Sequence, residues 1–173
     1  MSRDLHKENR ASWKDLSRTL GGSFTARARG LISPGLDLLT PENEIFGRLL
    51  ADAAGGTRLR AGDLEAEIQQ APGHRYVMMT GDTETLTAEP AGSPTSLTLR
   101  SDERVYEARI SLFRNRATAL SSTGNETARV SGGLTNRRYR ATFDPLDPAS
   151  LPVAVFLLHH TVGLRSKAYR AGS

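Results

Sequence analysis

The chain reads as a mainly β domain: a sandwich or barrel of ten to twelve antiparallel strands enclosing one apolar helix near the C-terminus, with a short helix at the N-terminus. Three observations predict it. From Ser23 to Phe143, short stretches of alternating polarity are separated every ten residues or so by turn residues, the rhythm of an antiparallel all-β domain. Residues 151–164, "LPVAVFLLHHTVGL", place apolar side chains on every side of a helix, the mark of one buried all round. A chain of 173 residues suffices for one domain with a substantial core and no covalent staples.

Residues 4–20 fit an amphipathic helix, with Leu5, Trp13, Leu16 and Leu20 on one side, and Gly21-Gly22 stops it. The chain therefore divides into a helical segment over 1–22 and a β domain over 23–173. Such a helix packs across the outside or mouth of the domain. Four apolar residues make a narrow face for the competing role, an adaptor helix that docks a partner or a membrane surface.

Within the strand region, Ser33-Pro34-Gly35-Leu36 suits a type II turn. Gly62-Asp63 and Gly81-Asp82 suit two-residue hairpin loops with glycine first, as in type II′. The first of these fixes a register: Ala61 faces Leu64, Arg60 faces Glu65, Leu59 faces Ala66 and Arg58 faces Glu67. Arginines then meet glutamates on one face while the apolar residues share the other, an agreement that a one-residue slip would destroy. "RYVMMTGDTETLTAE" is a second hairpin, "SLTLRSDERVYEARISLF" supplies two strands around Ser101-Asp102-Glu103, and "ATAL", "TARVSGG" and "RRYRATF" are the last three.

"FDPLDPAS" is turn chemistry, with Ser150 as the expected N-cap and Pro152 in the first helical turn, where its missing N–H does little harm. The helix spans about 151–168. It is too short and too interrupted, by His159, His160 and Thr161, for a membrane span of ~20 apolar residues. Enclosure by the strands is the remaining way to hide it.

Many short antiparallel strands followed by one apolar helix that ends in basic residues, "RRYRATFDPLDPASLPVAVFLLHHTVGLRSKAYR", resemble the tubby-like barrel shared by tubby C-terminal domains, phospholipid scramblases and the plant LURP-one-related proteins. The resemblance implies a closed barrel of about twelve strands around a central hydrophobic helix. It also implies a binding module: tubby domains hold phosphoinositides through surface basic residues, and scramblases are associated with calcium and lipid. No run of spaced acidic residues here matches a calcium loop.

Composition narrows the function further. No cysteine is present, and the charged start "MSRDLHKENRASW" lacks the apolar core of a secretory signal, so a cytoplasmic protein, at most peripheral at a membrane, is expected. Net charge is +4 with no block of like charges, which does not point to nucleic acid. Neither a Gly-x-Ser-x-Gly elbow nor a Gly-rich phosphate loop occurs, so no catalytic residue and no cofactor is assigned. His159 and His160, about a hundred degrees apart on a helix, cannot easily chelate one metal; one reaches a buried polar partner and the other the barrel mouth.

The site candidates are arginines, since only Lys7, Lys14 and Lys167 among the basic residues are lysines. On "RRYRATF", Tyr139 and Phe143 face the core and Arg138 and Arg140 face out, as do Arg27 and Arg29 on an earlier strand. Arg165 and Lys167 lie just past the buried helix segment, where cations also suit a helix C-terminus. Together they could hold a phosphate or carboxylate. The expected function is a non-enzymatic binding or scaffold domain for an anionic ligand such as a phospholipid head group; the alternatives are a small-molecule barrel or enzyme with a site at one mouth, near His159 or His160, and a protein–protein adaptor.

Overall fold

A computed structural model describes residues 12–29, 35–52 and 55–172. Residues 12–20 are helical (α1). Twelve strands follow: β1 (Ser23–Ala28), β2 (Gly35–Leu39), β3 (Ile45–Ala51), β4 (Thr57–Ala61), β5 (Leu64–Ala71), β6 (Arg75–Thr80), β7 (Thr83–Ser93), β8 (Ser96–Ser101), β9 (Arg104–Ser111), β10 (Arg116–Ser121), β11 (Glu126–Gly132) and β12 (Arg138–Phe143). Each pairs antiparallel with the next, and β1 pairs with β12, so the sheet closes into a barrel rather than a sandwich. The last element is the helix α2 (Ser150–Ala171).

The register predicted around Gly62-Asp63 is the one found, with Arg60 opposite Glu65 and Arg58 opposite Glu67. Gly62 and Gly81 adopt φ of 60° and 59°, the left-handed conformation that a type II′ loop demands of its first residue. The type II turn expected at Ser33-Pro34 lies outside the described residues, as do Leu5 and the start of the predicted N-terminal helix, while Gly35 and Leu36 belong to β2.

Alternation along the strands builds the core. Inward positions such as Phe24, Leu38, Leu59, Met78, Leu97, Tyr106 and Tyr139 are buried, and every residue of α2 from Ser150 to Leu158 is buried among them. A helix apolar on all sides has no solvent face, and inside a closed sheet it needs none. Its large side chains contribute roughly 1.5–3 kcal/mol each. Among the described residues, no helix is long and apolar enough to cross a membrane.

The start of α2 corrects one expectation. Ala149, not Ser150, is the N-cap, and it makes no side-chain cap. The Ser150 hydroxyl instead donates back to the carbonyls of Asp144 and Asp147, while the Asp147 carboxylate accepts from the Ala149 N–H at 2.9 Å. Asp147 also accepts the Tyr106 hydroxyl at 2.8 Å and pairs with Arg104 at 3.5 Å. One carboxylate thus holds the N-cap residue by its N–H and ties the helix entry to β9. The helix also continues past the expected end, to Ala171.

Strand connections alternate between the two ends of the barrel. At the end where α2 enters, α1 lies against the mouth: Trp13 and Leu20 join the core, and the indole N–H donates to the Thr80 hydroxyl at 3.0 Å. The connections at this end carry Glu42 and Glu44, then Asp63, Asp82, Asp102 and Glu103, then Asp144 and Asp147, with no lysine or arginine. At the opposite end, where α2 leaves, the connections carry Arg29, Arg114 and Arg137 against Asp52, and the helix adds Arg165, Lys167 and Arg170. The charges of the strand connections are thereby sorted, acidic at one end and mostly basic at the other.

Candidate functional site

Pairing of β12 with β1 brings two of the candidate arginines together. Arg138 stands directly opposite Arg27, both on the outer face and both exposed, while Tyr139 and Ala26 face the core. The outward row continues through Asp37 on β2, Arg48 on β3, Arg60 on β4 and Glu65 on β5. Like charges directly across an antiparallel pair repel unless something neutralises them. Asp37 does not serve Arg27, because its carboxylate is taken by Arg29 at 3.4 Å and Arg48 at 3.3 Å. Arg60 pairs with Glu65 at 3.5 Å. Among the described residues Arg27 and Arg138 form no ion pair.

One row further along, Arg140 lies opposite Thr25 on β1 and Ser131 on β11, and Ser131 lies opposite Arg116 on β10. The wall formed by β10, β11, β12 and β1 therefore presents Arg27, Arg116, Arg138 and Arg140 with hydroxyl side chains between them. Guanidinium forks and hydroxyls are the donors that phosphate oxygens accept from. Arg116 went unassigned in the sequence, although its place at the start of an alternating "RATAL" strand was signal enough.

The remaining candidates do not join this wall as free cations. Arg29 is committed to Asp37. Arg165 turns inward at the basic end and donates to the Leu112 carbonyl and to the Asn136 side-chain oxygen. Asn136 also accepts the Tyr139 hydroxyl at 3.2 Å, and the Asn115 amide donates to the Gly133 carbonyl at 2.8 Å. Burial pushes the Tyr139 hydroxyl's pKa up, so this group is a neutral donor. Gly132 admits the arrangement, since a Cβ there would collide with the Asn115 amide nitrogen and stand 2.5 Å from the Tyr139 ring. Arg165 is thus a structural clamp.

Lys167 lies on the other side of the helix exit, where it lines a cavity of about 160 Å³ with Tyr76, His159, His160 and Gln70. The His160 ring stacks on Phe156 with centroids 5.6 Å apart, and its Nε2 lies 2.9 Å from the Pro94 carbonyl. A carbonyl only accepts, so Nε2 carries the proton. Burial, then the neighbouring His160 and Lys167, pushes His159 down to about 4; His160 is also lowered, chiefly by burial. Both rings are neutral near neutral pH. The sequence's division of roles, one histidine to a buried partner and one to the mouth, matches the geometry.

A second cavity, of about 260 Å³, lies at the acidic end under Trp13, among Thr83, Thr85, Ser101 and Pro152. Both are smaller than the ~300–1,000 Å³ usual for small-molecule pockets. No group of three or more histidine, aspartate or glutamate side chains among the described residues is placed to hold a metal ion. Compared with family models, with curated proteins and with solved structures, the chain finds no match.

Proposed function

We propose that the barrel is a non-enzymatic binding module whose outer wall takes a phosphate-bearing anion through Arg27, Arg138 and Arg140. The observation that carries this reading is the facing pair Arg27–Arg138, which among the described residues has no carboxylate partner while its neighbours Arg29, Arg48 and Arg60 each have one. The resemblance to tubby-like barrels supports it from the side of sequence. Enclosure of α2 supports it too, because a filled barrel has no lumen for a ligand.

Phosphate could arrive on a lipid head group or free in solution. Co-sedimentation at low salt with neutral and with anionic vesicles, for the native chain and for Arg138→Glu/Arg140→Glu, separates the cases. Binding to anionic vesicles only, lost in the variant and weakened by salt, supports the lipid source. A melting temperature raised by inorganic phosphate, without vesicle binding, supports the free anion. A native chain that responds to neither removes the proposal.

A small-molecule site at the basic mouth is a second reading, favoured by one observation: two neutral imidazoles, a phenol and an ammonium share the 160 Å³ cavity. A neutral metabolite that raises the melting temperature of the native chain but not of His159→Ala would favour it. Trp13 and Leu20, two of the four apolar residues on which an adaptor helix would draw, are buried in the barrel core.

A further inference from the structure

Two large apolar side chains stand almost wholly in solvent on adjacent hairpin tips at the basic end: Phe113, 96% exposed, between β9 and β10, and Leu134, 89% exposed, between β11 and β12. A single exposed apolar residue needs no explanation, but these two stand on tips that are bonded to each other. Asn115 bonds across from the first tip to the Gly133 carbonyl, and Gly132 donates back to the Asn115 carbonyl at 2.8 Å. The Arg165 clamp ties Leu112 and Asn136, one from each tip, to α2. Exposed Arg114, Arg116, Arg137 and Arg138 surround the tips.

Apolar tips inside a collar of cations fit one partner, the interface of an anionic bilayer: the tips enter the acyl boundary while the guanidinium groups stay at phosphate level. A protein partner would need carboxylates opposite four arginines and a socket for each tip, whereas a lipid surface supplies both without shape matching. We infer that the paired tips Phe113 and Leu134 are a membrane-insertion edge that orients the barrel with its basic end down on anionic lipid. The inference rests on the anion-binding reading and names its partner and its contact. Leu146, 91% exposed at the acidic end, faces away and is the built-in control.

The full chain carrying Phe113→Trp reports insertion directly, because the native tryptophan, Trp13, is buried at the far end and stays silent. Anionic vesicles should shift the emission of the introduced indole to the blue, and lipids brominated in the acyl chain should quench it, with no change in the native protein. Phe113→Asp/Leu134→Asp should lower vesicle partitioning by at least about tenfold at unchanged melting temperature, and Leu146→Asp should not. Co-sedimentation with anionic vesicles without blue shift or quenching overturns the insertion edge and leaves the anion reading standing. Absence of any vesicle binding overturns the insertion edge, and whether the native chain still answers inorganic phosphate then decides the anion reading separately. Equal partitioning of the double aspartate variant and the native chain also overturns it.

Discussion

The two ends of the barrel solve the same problem with opposite charges. A closed sheet with a helix inside leaves a polar helix terminus at each mouth. Where α2 enters, its N-terminal N–H groups carry partial positive charge, and the connections supply carboxylates, of which Asp147 directly takes the Ala149 N–H. Where α2 leaves, its C-terminal carbonyls favour cations, and Arg170 lies in the last turn, with Lys167 and Arg165 before it on the helix. The carboxylate Asp147 and the clamp Arg165 are both consumed by structure. What differs is the remainder: the acidic mouth is covered by α1, while the wall adjoining the basic mouth keeps Arg27 and Arg138, which form no ion pair among the described residues. On the proposed reading, that surplus charge beside a satisfied clamp is what makes the basic end the binding surface.

The contrast can be broken first at the acidic end. Asp147→Ala removes the acceptor of the Ala149 N–H and strands the buried Tyr106 hydroxyl, and it should destabilise the fold by about 2–4 kcal/mol in urea unfolding. Burial and the Asp147 carboxylate both hold the Tyr106 hydroxyl's pKa up, so the group is a neutral donor that the substitution leaves without its acceptor. A loss below about 1 kcal/mol would show that the acidic mouth is not held by this residue.

At the basic end the first lever is pH. His159 has a folded pKa of about 4 against 6.5 in the unfolded chain, so the unfolded state binds the extra proton between those values. Its contribution is therefore complete above pH 6.5 and falls as pH drops towards 4, by on the order of 2–3 kcal/mol. His159→Gln should flatten that part of the stability profile, and a profile unchanged by the substitution would place the ring in water.

Smaller effects sharpen the comparison. Gly132→Ala puts a methyl into the Asn115–Tyr139 contact and should cost about 2 kcal/mol by overpacking, loosening the two hairpin tips without touching an arginine. Arg27→Thr should do the reverse of an ordinary surface change. By relieving a like-charge pair it should raise stability by roughly 0.2–1 kcal/mol while weakening anionic vesicle binding. Stability and binding moving down together would mean that Arg27 is structural.

Much of the fold was written locally. Period-two alternation gave strands from Ser23 to Phe143, Gly62 and Gly81 gave hairpins with their register, and an unbroken apolar run gave the enclosed helix. Closure of β1 on β12 was not local, since it joins residues more than a hundred positions apart with no motif between them, and the strand rhythm alone fits a sandwich equally well. Ser150 misled because serine is the commoner cap, whereas here Asp147 holds the N–H of the N-cap Ala149 and Ser150 pins the preceding carbonyls.

The candidate site was legible only in part. Alternation placed Arg138 and Arg140 outside, but nothing in the sequence could show that Arg27 faces Arg138 or that Asp37 absorbs Arg29 and Arg48. Charge sorting was within reach. Gly62-Asp63, Gly81-Asp82 and Asp102-Glu103 are two strands apart, and hairpin loops two strands apart fall at the same end of a meander.

The most direct measurement is a titration of the ¹⁵N-labelled chain with anionic bicelles, read as loss of backbone amide signal. Signal should fall first at Arg27, Arg138 and Arg140 and at the tips around Phe113 and Leu134, while Asp82, Asp102 and Asp147 at the opposite end keep theirs. Attenuation centred on the acidic end, or spread evenly over the barrel, would contradict the division of the molecule into a capped end and a binding end.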